Sequence, residues 1–341
     1  MKYLAQTAVI VALFVVAACD DREGAAQSAH PTWEATASPV ISDDQLRART
    51  KQIDDAAGPA LPIKTRFPGV AMDALPASFD WRTDAAHLSA ACADSLNEIA
   101  NQGDCGNGWA MAPAAVMTDR ICIHSNGTRT GKAHHLSTQD VSSCCKFFNV
   151  WGSCGQICDG GLPAGAFKYW AESGVVTGMG YGDKSRCYSN QLPPAPPPAA
   201  AAVAEPQWSG PQCNKTCENP ELEWGKDKHF GNESYHVYGE KNMKAEIFSK
   251  GPIASFIYVF NDFNSYKTGV YIPQKGAPFA GSTTVKILGW GTSAGGVPFW
   301  TCANSWGAAW GEDGFFRILR GNNTCSIEAS INGPCAGTPR L

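Results

Sequence analysis

A chain of 341 residues, 44% apolar and 17% charged, carries enough apolar content for a sizeable core, which excludes disorder as a description of the whole. A formal charge of -4 and the lack of any long Lys/Arg block exclude a field for holding phosphates, so no nucleic-acid partner is expected. One large domain or two closely packed ones are expected.

The chain opens MKYLAQTAVIVALFVVAACDD, with Lys2 ahead of an apolar run from Ala8 to Ala18 and acids after it. That run is short for a bilayer and reads as a secretory signal peptide over residues 1–18. Val16-Ala17-Ala18-Cys19 is also similar to a bacterial lipoprotein box, and a membrane tether is expected only if Cys19 is lipidated. Sequons at Asn126, Asn214, Asn232 and Asn322 tilt the reading toward a eukaryotic secretory pathway, ending outside the cell or in the lysosome. Fourteen cysteines behind an export signal imply a disulfide framework. Cys144, Cys145, Cys154 and Cys158 could supply a compact zinc set, but the leader favours bridges, so no metal or cofactor is expected.

Residues 19–74 are polar and mixed and read as a pro-segment or linker, with a helix expected around Asp43 to Ile53 (DDQLRARTKQI). At Leu75 the text changes to LPASFDWR, and the folded domain is placed at 75–341. Helices are expected at Gly108 to His124, at Thr138 to Val141 running into the cysteine pair, and at Leu162 to Ser173, where Ala166, Phe167 and Trp170 recur at helical spacing. Pro113 lies about a turn into the first of these, where it either kinks the axis at a cost of about 3 kcal/mol or sits close enough to the start to fit. A Pro/Ala-rich insertion at 188–212 favours extended, exposed chain. Beyond it come β-branched and aromatic runs bounded by Gly, Pro and Asn: PIASFIYVF, GVYIP, TTVKILGWG, VPFWTCANSW and GFFRILRG. A helical half and a β half predict an α+β fold with a cleft between them.

The segments NQGDCGNGWA, DRICIH, CC followed by CGQICDGG, DKHFGNESY, KGPI, YKTGVY, ILGWG, CANSWGAAWGEDGFFRILRG and CSIE occur in that order. Together they resemble the papain-like cysteine peptidases, and the cathepsin B branch most closely, from about Leu75 to Glu328. The resemblance implies a disulfide-rich, two-lobed fold with a helical left lobe and a β-barrel-like right lobe. It also implies cysteine-type peptidase chemistry. A thiolate at a helix start attacks the peptide carbonyl, a histidine serves the thiol and the leaving amine, an Asn orients that ring, and a Gln amide meets the oxyanion.

By motif, Gln102 matches the oxyanion Gln, Asn304 the orienting Asn and Trp306 the tryptophan that shields it. The nucleophile position, just before Trp109, holds Gly108. The histidine position, a few residues before ILGWG, holds Thr283. Cys105 lies three residues ahead of Gly108, but the resemblance implies that it is bridged, and a bridged sulfur is no nucleophile. The seven histidines, at 30, 87, 124, 134, 135, 229 and 236, are not expected on the strand that faces the helix start.

The insertion stands where cathepsin B carries its occluding loop, yet no histidine occurs between Cys187 and Cys213, so carboxyl-terminal dipeptide removal is not expected. Gly160 and Gly161 match the glycine pair whose backbone receives an extended substrate strand; they also read as a tight turn after Cys158. The implied bridges are Cys92–Cys122, Cys105–Cys158, Cys144–Cys213, Cys145–Cys154 and Cys187–Cys217, each contributing about 2 to 4 kcal/mol. Of the remaining Cys302, Cys325 and Cys335, the last two are expected to pair, leaving Cys302 as a small buried residue.

Three readings follow: a pseudopeptidase that binds peptides or proteins in its cleft, an active cysteine peptidase using a displaced sulfur such as Cys302 or an unbridged Cys105, and a structural or adhesive extracellular protein. If the segment before Leu75 stays attached along the cleft, peptide binding loses its site.

Overall fold

The computed structural model describes residues 32–37, 41–50, 61–84, 89–145, 154–155, 157–194, 212–329 and 333–341. The leader, Cys19, His30, His87 and residues 195–211 of the Pro/Ala insertion lie outside the described residues. In chain order the elements are β1 (Trp33–Ala35), α1 (Asp43–Arg49), β2 (Phe79–Asp80), α2 (Ala93–Asn97), α3 (Gly108–His124), α4 (Thr138–Cys144), α5 (Pro163–Ser173), β3 (Gly231–His236), α6 (Glu240–Lys250), β4 (Ile253–Phe260), β5 (Tyr266–Tyr271), β6 (Phe279–Thr292), β7 (Pro298–Ala303), β8 (Phe315–Leu319) and β9 (Cys335–Pro339).

The helices start where side chains can satisfy free N–H groups. Ser42 and Gln45 form a reciprocal capping box on α1, and Ser137 accepts from the Asp140 N–H at the start of α4. Pro163 opens α5, where its missing N–H costs nothing, and Gly174 at φ 68° closes it. Helix α1 ends at Arg49, where Thr50 leaves helical geometry and turns its hydroxyl back onto the Leu46 carbonyl; residues 51–53 of the expected helix lie outside the described residues.

The sheet runs β1-β5-β8-β7-β6-β4-β9-β3, with β2 pairing onto β6. Strand β6 is buried over most of its length, although its text includes Ser282, Thr283, Thr284 and Lys286. One core fills the sheet lobe around Trp290, Trp300, Phe263 and Phe316; a second lies among α3, α4 and α5 around Phe167 and Trp170. Helix α3 forms the wall between them and runs unbroken through Pro113, so no break in the helix accompanies that residue. Four strands and two helices escape the sequence patterns. Strands β1 and β2 and helix α2, of 3, 2 and 5 residues, are too short to show a period. Strand β3 (GNESYH) is too polar to alternate cleanly, β9 (CAGTP) carries Gly and Pro, and α6 buries only Met243, Ala245, Glu246 and Ile247.

Among the described residues, five disulfides join Cys92–Cys122, Cys105–Cys158, Cys144–Cys213, Cys145–Cys154 and Cys187–Cys217. The expected Cys325–Cys335 bridge is not formed, and both residues are buried. They belong to different cores, Cys325 to the sheet lobe and Cys335 to the helical lobe. Cys302 is free and fully buried on β7 between Ile287 and Phe316.

Candidate active-site cleft

The N-terminus of α3 points at β6. A Cβ added to Gly108 would lie 2.7 Å from Thr283 Oγ1 and 3.5 Å from Gln102 Oε1. Gly108, Thr283 and Gln102, far apart in the chain, therefore meet at one point. Thr283 sits opposite Ile257 in the β4–β6 register and is buried, and its hydroxyl has no partner among the described residues. It fills the space that a side chain at 108 would need.

Gln102 is fully buried and its amide is saturated. Its Oε1 accepts from the Ser305 hydroxyl at 2.6 Å, while Nε2 donates to the Cys105 carbonyl at 2.6 Å and the Arg49 carbonyl at 3.2 Å. Asn304 follows β7; its Oδ1 accepts from the Ser305 N–H at 2.8 Å, and its Nδ2 has no partner among the described residues. It also lines a cavity of about 50 Å³ behind the site, together with Thr284, Lys286 and His135. Trp306 packs edge-on against Trp310 at 5.2 Å and Phe263 at 5.6 Å, which fixes the loop after β7.

The glycine pair has a packing cause. Gly160 has φ 93°, and a Cβ on Gly161 would fall 2.3 Å from the Trp109 ring, so no larger residue fits there. The Trp109 indole N–H donates to the Ile157 carbonyl, and the Cys105–Cys158 bridge ties the same loop to the segment ahead of α3.

The three atoms nearest a Cβ at 108 are Thr283 Oγ1, Gln102 Oε1 and the Thr284 backbone nitrogen, none of them a sulfur or part of an imidazole. Burial pushes the Cys302 thiol well above its ordinary value. His124 is held on the Lys250 carbonyl, with burial pushing its ring down to about 4. His135 lies between the Gly178 carbonyl and Glu98, His134 packs against His229, and His236 stacks on Tyr238.

The cleft is not empty: the chain's own N-terminal segment lies in it. Strand β1 pairs with β5, the Ile41 carbonyl accepts from Asn264 Nδ2 at 2.6 Å, and Leu46 is 1% exposed. Arg49 pairs with Asp104 at 3.3 Å, and the Thr50 hydroxyl donates to the Ala280 carbonyl at 3.0 Å. Gly281 lets this backbone approach, since a Cβ there would fall 1.8 Å from the Thr50 carbonyl oxygen. The sequence pattern finds the helix in this segment; the S-x-x-Q cap at Ser42 to Gln45 is the signal for its start, but nothing local gives its docking. A Leu46→Asp variant is expected to release it, because a buried carboxylate without a partner costs several kcal/mol. The check is limited proteolysis: cutting near residues 41–50 should accelerate at least about tenfold with the protein's Tm little changed. Unchanged cutting would show that Leu46 does not anchor the segment.

A sequence profile described as the papain family cysteine proteases matches residues 75–335.

The chain belongs to the papain family.

This papain-family chain is 36% identical over 321 residues to cathepsin B-like cysteine proteinase 4 of Caenorhabditis elegans, covering 91% of this chain and 89% of that one. It is 40% identical over 281 residues to cathepsin B-like cysteine proteinase 5 of the same organism, covering 79% and 76%. Among solved structures it is similar to proCathepsin B S9 from Trypanosoma congolense, with a TM-score of 0.71 and 29% identity over 91% of this chain and 93% of that one. That coverage exceeds what residues from Leu75 onward could supply, so the likeness extends into the N-terminal segment. The chain is thus a cathepsin B-like member of the papain family, and such relatives and a disulfide-rich fold are consistent with a secretory or lysosomal protein.

Proposed function

We propose that this cathepsin B-like chain is a pseudopeptidase: it binds peptide or protein segments in its cleft and does not cut them. The observation that carries the reading is Gly108 facing Thr283 at the start of α3, a pair with neither a thiol nor an imidazole. Loss of nucleophile and base together lowers turnover by on the order of 10⁶, which for a peptide bond is effectively none. What remains is suited to holding a strand: the Gln102 amide, the Gly160-Gly161 turn, and Trp306 beside Asn304. The capacity to hold backbone is illustrated by the chain itself, whose Arg49 carbonyl accepts from Gln102.

In the intact chain that segment occupies the cleft, and a chain without a nucleophile cannot excise it. Binding in trans therefore needs another protease to clear residues 41–50. The leader and the sequons at Asn126, Asn214 and Asn232, all exposed, favour a secreted or lysosomal glycoprotein.

The test uses protein whose N-terminal segment has been cut by an added protease and washed away. A fluorogenic dibasic peptide is expected to show no turnover sensitive to an epoxide thiol inhibitor, while a labelled peptide library binds saturably. Inhibitor-sensitive turnover would restore the reading of an active peptidase with a displaced sulfur; absence of any binding would favour a structural or adhesive role.

A further inference from the structure

Residues ahead of Leu75 touch the domain at a second place, on the outer strand of the sheet. The His236 N–H donates to the Pro62 carbonyl at 2.9 Å and the Lys64 N–H to the His236 carbonyl at 2.8 Å, so residues 62–64 lie parallel to β3 as an added strand. Successive residues of an extended chain face opposite sides. Burial of apolar surface alone would turn Ile63 inward and Lys64 to water. The reverse is found: Ile63 is 58% exposed, and the Lys64 side chain is 19% exposed.

The cause lies beneath Lys64. Its Nζ is 2.9 Å from Glu246 Oε2, donates to the Tyr235 hydroxyl at 3.2 Å and lies 4.3 Å from the Tyr235 ring centroid. Glu246, on α6, is fully buried; its Oε1 is met by Arg120 at 2.9 Å and by the Tyr235 hydroxyl at 2.6 Å. Arg120 directs its other donors to the carbonyls of Pro252, Gly251 and Gly337. Lys64 is thus the cation at the second carboxylate oxygen. A slip of one residue would bury Ile63 but strand that oxygen, and an unpaired buried charge costs more than half-burying one isoleucine recovers.

We propose that Lys64, seated on Glu246, is a latch that makes residues 61–67 an edge strand of the domain, so that the folded unit begins near Leu61 and this stretch stays attached when residues 41–50 leave the cleft. The latch also covers part of an edge that would otherwise offer unpaired backbone groups. It does not depend on whether the cleft binds peptides.

The experiment compares the full chain with Lys64→Met, which keeps an apolar stem without the charge, and with Ile63→Thr on the outward face. Limited proteolysis with sequencing of the resistant fragment is read beside amide exchange at Lys64 and His236. Wild type and Ile63→Thr are expected to keep a resistant fragment that includes Leu61. In Lys64→Met, cutting between 61 and 74 and exchange at both amides should accelerate at least about tenfold, with α3 and β6 amides unchanged. The proposal is overturned if the wild-type fragment begins beyond Phe67, if Lys64→Met stays within about twofold of wild type, or if Ile63→Thr releases the strand.

Discussion

Once its cleft is cleared, the Gly108→Cys/Thr283→His double variant is expected to cleave a fluorogenic dibasic peptide at least about 10³-fold faster than either single variant, in a manner blocked by an epoxide thiol inhibitor. The singles should be nearly silent, because a thiol without an imidazole and an imidazole without a thiol each lack half of one unit. Gly108→Cys alone meets a further obstacle: its Cβ would lie 2.7 Å from Thr283 Oγ1. Threonine carries two γ atoms on a stiff β-branched carbon and cannot turn both away, whereas histidine carries one. Full recovery is not expected, since Asn304 Oδ1 is engaged by the Ser305 N–H and must turn to orient a new ring. Steady-state kinetics of the four proteins decides the matter. A folded double variant without turnover would mean that the cleft has diverged beyond its two reacting positions.

The second large effect concerns stability. Lys286 on β6 and Asp119 on α3 pair at 2.8 Å with side chains 2% and 0% exposed, tying the two lobes together behind the site. Lys286→Met strands a buried carboxylate and should cost about 3 to 5 kcal/mol. Thermal unfolding should show a Tm lower by roughly 10 °C at neutral pH. Burial already pushes the Asp119 carboxyl above the ordinary carboxylate range despite Lys286. Without the ammonium it rises further, and a folded-state pKa above the unfolded one means that protonation favours the fold. The deficit should therefore shrink as pH falls from neutral through that raised pKa. A deficit that grows on acidification, or stays below about 1 kcal/mol, would refute a buried ion pair here.

Much of the fold could be read locally. Helix α3 spans the stretch from Gly108 to His124 that the pattern predicts, and the strands from Ile253 to Leu319 follow their β-branched and aromatic runs. Both rest on periodicity, which survives because each element buries one face or both. The resemblance to papain-like peptidases likewise needs only short motifs in order. Strands β3 and β9 were illegible because their pairing with each other, not their own residues, makes them strands.

The sequence by itself determined which groups are present: glycine before Trp109, threonine ahead of ILGWG, and no histidine from Cys187 to Cys213. Tertiary structure decided which of them meet. Gly108 and Thr283 face each other through the packing of α3 on β6, and Cys325 and Cys335 are sorted into different cores. The N-terminal segment carries its own helix signal, but its place in the cleft depends on Asn264, Gly281 and Asp104, which local pattern cannot connect to it. Lys64 shows the same limit most plainly. Hydropathy orients a strand by its own side chains, whereas here a buried carboxylate from α6, 182 residues later, sets which side faces in.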